Sequence, residues 1–193
     1  QGDIYRASYL NHNSYDAYVE ALRCFEQEKL PYHTHYTLYN MGQAALKMQQ
    51  PELAEELFVD ARNYAIESGN RDFLCPVLHE MCEIYYLLDD KEKFAETVDM
   101  FQRYDCVLWL VSHYKAMKAI ALSNSGNHEE AKHYVKLAAV DPTYDVYAVE
   151  RANYVICKNE GDSEGMVYWL TEINKRLNNE LNAATEQPVM NYQ

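Results

Sequence analysis

The stretch LYNMGQAALKMQQPELAEELFVDA, residues 38–61, decides the fold. Leu38, Met41 and Ala45 recur at three- and four-residue steps, and Ala54, Phe58 and Ala61 repeat the pattern after a break. That period is the mark of an α-helix with one apolar face. Between the two runs stands Gln50-Pro51, and proline suits the first turn of a new helix, where its missing N–H is not needed. The stretch therefore reads as two helices joined by a short link, and short links make sequential helices pack as hairpins.

The same punctuation extends in both directions. Ser68-Gly69-Asn70 follows a long helical stretch and supplies a residue able to adopt positive φ, while Gly126-Asn127 and Gly161-Asp162 each read as a stop followed by an N-cap. Asp141-Pro142 reads as a cap followed by a first-turn proline. Strand-like alternation is nowhere sustained. The predicted elements are an N-terminal segment at about 3–12, a helix at about 14–28 and a break at Leu30-Pro31. Four antiparallel pairs follow, at about 33–48 with 51–68, 72–88 with 91–104, 107–124 with 128–139, and 143–159 with 163–182. This divides the chain into an N-terminal helical segment (1–32), a helical repeat domain (33–183) and a tail (184–193) containing Pro188. The turns near Gln50, Asp90, Gly126 and Gly161 recur at roughly 35 to 40 residues, a period that belongs to helical repeat arrays.

Composition agrees and excludes other classes. With 48 % apolar residues, 24 % charged residues and five scattered cysteines, the 193-residue chain is neither disordered nor a disulfide-stapled mini-protein. Six glycines and five prolines are few for this length, which favours helix. Thirty acidic against 17 basic residues leave a charge of −13, which argues against a nucleic-acid partner, since phosphate binding is driven by Lys and Arg. The longest apolar run, Cys106 to Val111, is far short of the roughly 20 residues a membrane helix needs, so no membrane insertion is expected. Cys24, Cys75, Cys82, Cys106 and Cys157 form no C-x-x-C pair and are read as small apolar residues. Free thiols mildly favour a reducing, cytoplasmic setting; the periplasm is the alternative if the chain belongs to a membrane-bound sensor. The chain begins at Gln1, so targeting is not read from its N-terminus.

On these residues the chain resembles the tetratricopeptide repeat family. Leu38, Met41, Gly42 and Ala45, then Ala54, Phe58 and Ala61, match the family's two-helix pattern closely. A mid-helix glycine such as Gly42 costs about 1 kcal/mol against alanine. The family uses a small residue there because the two helices of the hairpin approach closely. The third pair carries the family's turn, Ser125-Gly126-Asn127-His128-Glu129-Glu130-Ala131, and closes on Asp141-Pro142. The second pair (Leu78, Met81, Cys82, Tyr85; Phe94, Val98, Phe101) and the fourth (Val149, Ala152, Ile156; Met166, Leu170, Ile173) are looser, with Cys82 at the small position. The resemblance covers about 33–180. It implies an all-α, right-handed α-solenoid of about four hairpins, with an N-terminal helix and a C-terminal capping helix.

Catalytic constellations do not stand out, so no enzyme activity, cofactor or metal is expected. His33-Thr34-His35 resembles a metal pair by spacing alone, and His128 and His133 are five apart where a zincin helix needs four. Carboxylate pairs such as Glu55-Glu56 and Asp89-Asp90 read as solvated faces or turns. The expected function is instead a protein–protein interaction or scaffold module. In the resembled family the first helix of each pair lines a concave groove. The residues expected there are Tyr36, Tyr39 and Gln43 in pair one, His79, Glu83 and Tyr86 in pair two, Lys115 with Ala119 in pair three, and Tyr147, Glu150 and Tyr154 in pair four. Aromatic rings suit protein recognition because they bury much area at low entropy cost. Asn40 matches one residue of the family's carboxylate clamp, but Glu80 and Glu83 stand where amide or positive groups are needed. A basic or aromatic partner segment is therefore expected. The alternative function is the sensory or regulatory region of a larger bacterial signalling or transcription regulator, suggested by Leu170, Ile173, Leu177 and Leu181 along the final helix. Tyr5, Tyr9, Tyr15 and Tyr18 suggest an exposed aromatic N-terminus and a homo-dimer as a third reading.

Overall fold

The structure, a computed structural model, describes residues 11–106, 111–141 and 145–186, with side chains described within 13–179. Among the described residues there are nine α-helices and no strand. They are α1 (Asn11–Gln27), α2 (Pro31–Lys47), α3 (Pro51–Glu67), α4 (Arg71–Leu87), α5 (Lys91–Arg103), α6 (Val111–Asn124), α7 (His128–Ala139), α8 (Val146–Glu160) and α9 (Ser163–Glu186). The all-α expectation holds, and within each unit consecutive helices pack on one another. The expected break is present: α1 ends at Gln27, Leu30 is non-helical, and Pro31 opens α2, two residues earlier than predicted. Pro51 does the same for α3, as predicted.

One kind of turn recurs between the helices. All the helices from α1 to α6, and α8, are followed by a left-handed residue: Lys29 (φ 54°), Gln49 (60°), Gly69 (64°), Asp89 (53°), Asp105 (55°), Gly126 (88°) and Gly161 (75°). The N–H of the next residue then reaches back five positions, as in Gln50 to the Ala45 carbonyl and Asn70 to the Ala65 carbonyl. This double-bonded helix ending satisfies carbonyls that would otherwise be orphaned. In most of these links the residue making the long bond also opens the next helix, so a few residues suffice. The first four helices are each 17 residues long, and their left-handed residues fall at 29, 49, 69 and 89. The next four helices are shorter, and Gly126 and Gly161 lie 35 apart.

The cap before α8 differs from the expectation. Asp145, not Asp141, opens the helix, its carboxylate accepting from the Ala148 N–H at 3.0 Å. Asp141 instead accepts from Lys115 Nζ at 2.6 Å. Helix α9 reaches Glu186, beyond the predicted 182. The predicted segment at 3–12 lies almost wholly outside the described residues, as do Pro142, 107–110 and 187–193.

The chain divides into two units, Gln1–Trp109 and Leu110–Gln193. In the first, Phe58, Leu74, Leu78, Met81, Ile84 and Phe101 are fully buried. Gly42 faces Phe58 so closely that a Cβ added to it would stand 2.8 Å from the ring. Cys75, Cys82 and Cys106 are buried, as a small apolar residue would be, whereas Cys157 is half-buried and Cys24 exposed. Burial pushes the Cys106 thiol up to about 12. Glu55, expected to be solvated, accepts from the Tyr85 hydroxyl at 3.1 Å and Lys93 Nζ at 2.7 Å, tying α3 to α4 and α5. Tyr18 is buried and Tyr15 half-buried, so these two do not form the exposed aromatic end expected of them; Tyr5 and Tyr9 lie outside the described residues. In the second unit, Met117 and Ile120 of α6 fill the core against small residues, Ala131, Ala138 and Ala152 among them. There α6 packs along α8 as well as on α7. Among the described residues no helix is long and apolar enough to cross a membrane.

Candidate functional site

In the first unit, Tyr32, Tyr36, Tyr39 and Gln43 step by four, three and four along α2, which aligns them on one face. Tyr32 and Tyr36 stack with centroids 6.0 Å apart and planes inclined by 16°. Tyr36 and Tyr39 follow at 6.2 Å. Phe73, on the first turn of α4, supports the row: its ring lies 6.1 Å from Tyr32, 6.1 Å from Tyr36, 6.0 Å from Tyr39 and 6.4 Å from Tyr64. Local structure explains its position. The Asn70 side chain accepts from the Phe73 N–H at 3.1 Å, so the bond that caps α4 also fixes where Phe73 stands. Phe73 is buried, whereas Tyr32 and Tyr36 keep 45 % and 43 % of their surface exposed.

The row continues into a polar network. Gln43 Nε2 donates to the Tyr39 hydroxyl at 3.0 Å and to Glu80 Oε1 at 2.8 Å, joining α2 to α4. Burial raises the Glu80 carboxyl above its ordinary value, and Glu83 adds to the rise. Three of the expected groove residues, Tyr36, Tyr39 and Gln43, are thus brought together. Tyr32, Phe73 and Glu80 belong with them and were not among those expected. Phe73 lies a full turn N-terminal to the repeat positions used to locate the groove, so the family pattern does not point to it. His79, Glu83 and Tyr86 are half-buried on α4. Asn40, the single match to a carboxylate clamp, is buried. The histidine pair is absorbed into aromatic packing: His33 lies 5.2 Å from Phe25, and His35 stacks on Tyr64 at 4.1 Å while its Nδ1 meets the Pro31 carbonyl at 2.7 Å.

In the second unit most of the expected residues are engaged internally. Lys115 holds Asp141, and Ala119 is buried. Glu150, expected to face a basic partner, is buried and takes both Arg176 Nη2 (2.6 Å) and Nε (3.2 Å) from α9. The same guanidinium lies over the Tyr147 ring, 5.9 Å from its centroid. That carboxylate is shielded from water and its charge is met by the guanidinium, so it is not presented at the surface for a partner. Tyr154 is half-buried. Elsewhere in this unit, buried His113 meets Asp145 Oδ2 through Nδ1 at 2.8 Å, and this contact holds the Asp145 carboxyl down to about 2.

No family model matches the chain, and no curated protein matches it.

Proposed function

We propose that the chain is a non-enzymatic protein-interaction module of the tetratricopeptide-repeat kind, a right-handed helical solenoid. Its first unit takes a partner segment on the aromatic row of α2. The observation that carries this reading is the pair Tyr32 and Tyr36, exposed and held in place from beneath by Phe73. Rings already ordered by packing lose little freedom when a partner covers them. Their faces suit cationic and aromatic side chains, and a chain of net charge −13 attracts basic segments over a distance. The partner is therefore a basic or aromatic protein segment. With Glu150 engaged by Arg176, attraction in this reading comes from the overall charge and not from that carboxylate.

The test is affinity capture from the source cell's lysate, read by mass spectrometry, with the native chain beside Tyr32→Ala/Tyr36→Ala. Both residues are largely exposed, so the double variant should fold, and circular dichroism checks that it does. Proteins held by the native chain and lost by the variant are the expected result. An identical set from both refutes the site. A sensory or regulatory region of a larger signalling protein is the second reading. The outward apolar stripe of α9 favours it, because an exposed apolar row suits association with further protein.

A further inference from the structure

Helix α9 has two working faces. Trp169, Glu172 and Arg176 recur on the side turned toward α8, where Arg176 grips Glu150 and covers Tyr147. About half a turn away lies a second row: Val167, Leu170, Asn174 and Leu177. The apolar members are 65 %, 42 % and 50 % exposed, and Asn174 is exposed as well. Their spacing of three, four and three is the heptad seam of a coiled coil, and in sequence it continues to Leu181.

We propose that this row is the seam of a parallel, in-register two-stranded coiled coil between two copies of the chain. The occupant follows from the chemistry. A β-branched residue at the first seam position, Val167, with leucine at the second, Leu170 and Leu177, favours two strands. Asn174 takes a first position, where a lone asparagine fixes register, because its amide donates to and accepts from its own copy and is left unpaired in other alignments. Charge excludes the basic partner proposed for α2. From Met166 to Asn178 the seam and its flanks (Met166, Thr171, Ile173 and Asn178) carry no charged side chain, and Glu180, beside Leu181, is the first carboxylate on a flank. Two copies of an otherwise acidic chain approach along 166–178 without facing carboxylates, while a cationic segment finds no counter-charge there. The seam lies on an already folded helix, so dimerisation orders little new backbone. The proposal does not rest on the aromatic site of the first unit.

The test uses the whole chain in sedimentation velocity across a concentration series. The native protein should sediment as a dimer at high concentration. Leu170→Glu/Leu177→Glu, both at exposed positions, should raise the dimer dissociation constant at least tenfold while circular dichroism stays unchanged. Register is read separately in a Cys24→Ser background, which removes the exposed native thiol. There Asn174→Cys should give a disulfide-linked dimer under mild oxidation, and Lys175→Cys, one position off the seam, should not. A native chain that is monomeric throughout overturns the proposal. So does a dimer that survives the double glutamate variant, or one that the Asn174→Cys substitution fails to link.

Discussion

Gly42 has no Cβ, and the space a methyl would take is held by the Phe58 ring. Alanine there gains about 1 kcal/mol of helix propensity but forces a fully buried ring to move, an overpacking cost of about 1–3 kcal/mol. Gly42→Ala should therefore lower the urea midpoint, whereas a gain would mean that Phe58 can step aside. The residue was conspicuous in sequence because a mid-helix glycine is costly. Which ring it faced was not legible, because that depends on how α2 and α3 rotate against each other. Asn70 shows the opposite case. Nothing singled it out in sequence beyond its place beside Gly69, yet its cap carries a consequence for the site, since the capped N–H belongs to Phe73.

At the scale of elements, three of the seven left-handed helix endings use glycine, and four use Lys29, Gln49, Asp89 or Asp105. A side chain in that conformation costs about 1–2 kcal/mol, partly offset because glycine frees the unfolded chain. Gln49→Gly should accordingly raise stability by about 0.5–1 kcal/mol in chemical denaturation; a loss would show that Gln49 makes a compensating contact. The glycine-marked links were readable in advance for this reason. Those at Leu30 and Gln50 were betrayed by the following proline instead. The start of α8 was misplaced because Asp141-Pro142 and Asp145 both have the chemistry of a cap, and tertiary contacts distinguish them: Lys115 takes Asp141, while Ser112 and His113 hold Asp145.

For the whole molecule, pH acts on the two units through different groups. In the first unit burial raises Glu80 above its ordinary 4.5, so its stabilising contribution is full below that value and is lost as pH rises through the folded value. In the second, Asp145 is lowered from 3.8 to about 2, so its contribution is full above 3.8 and is lost as pH falls toward 2. The charge of −13 adds self-repulsion near neutrality. The thermal midpoint should thus rise by a few degrees from pH 7 to about pH 5 and fall again below about pH 4. Glu80→Gln, which keeps an acceptor for Gln43, should flatten the upper limb. Asp145→Asn, which keeps a cap but not the carboxylate that His113 contacts, should flatten the lower one. Unchanged limbs in both variants would assign the profile to general charge alone.

Sequence by itself determined that the chain is helical and, within a few residues, where most of its helices begin and end, because periodicity, caps and left-handed turns are local and each is set by a handful of neighbouring residues. The candidate surface was only partly legible. Tyr36, Tyr39 and Gln43 could be placed on one face from their spacing along a single helix. Tertiary structure alone brought Phe73 against them, set Glu80 beside Gln43 and turned Glu150 inward by seating Arg176 on it. Those outcomes depend on the distance and rotation between helices, which side-chain packing sets and which no local stretch of residues encodes.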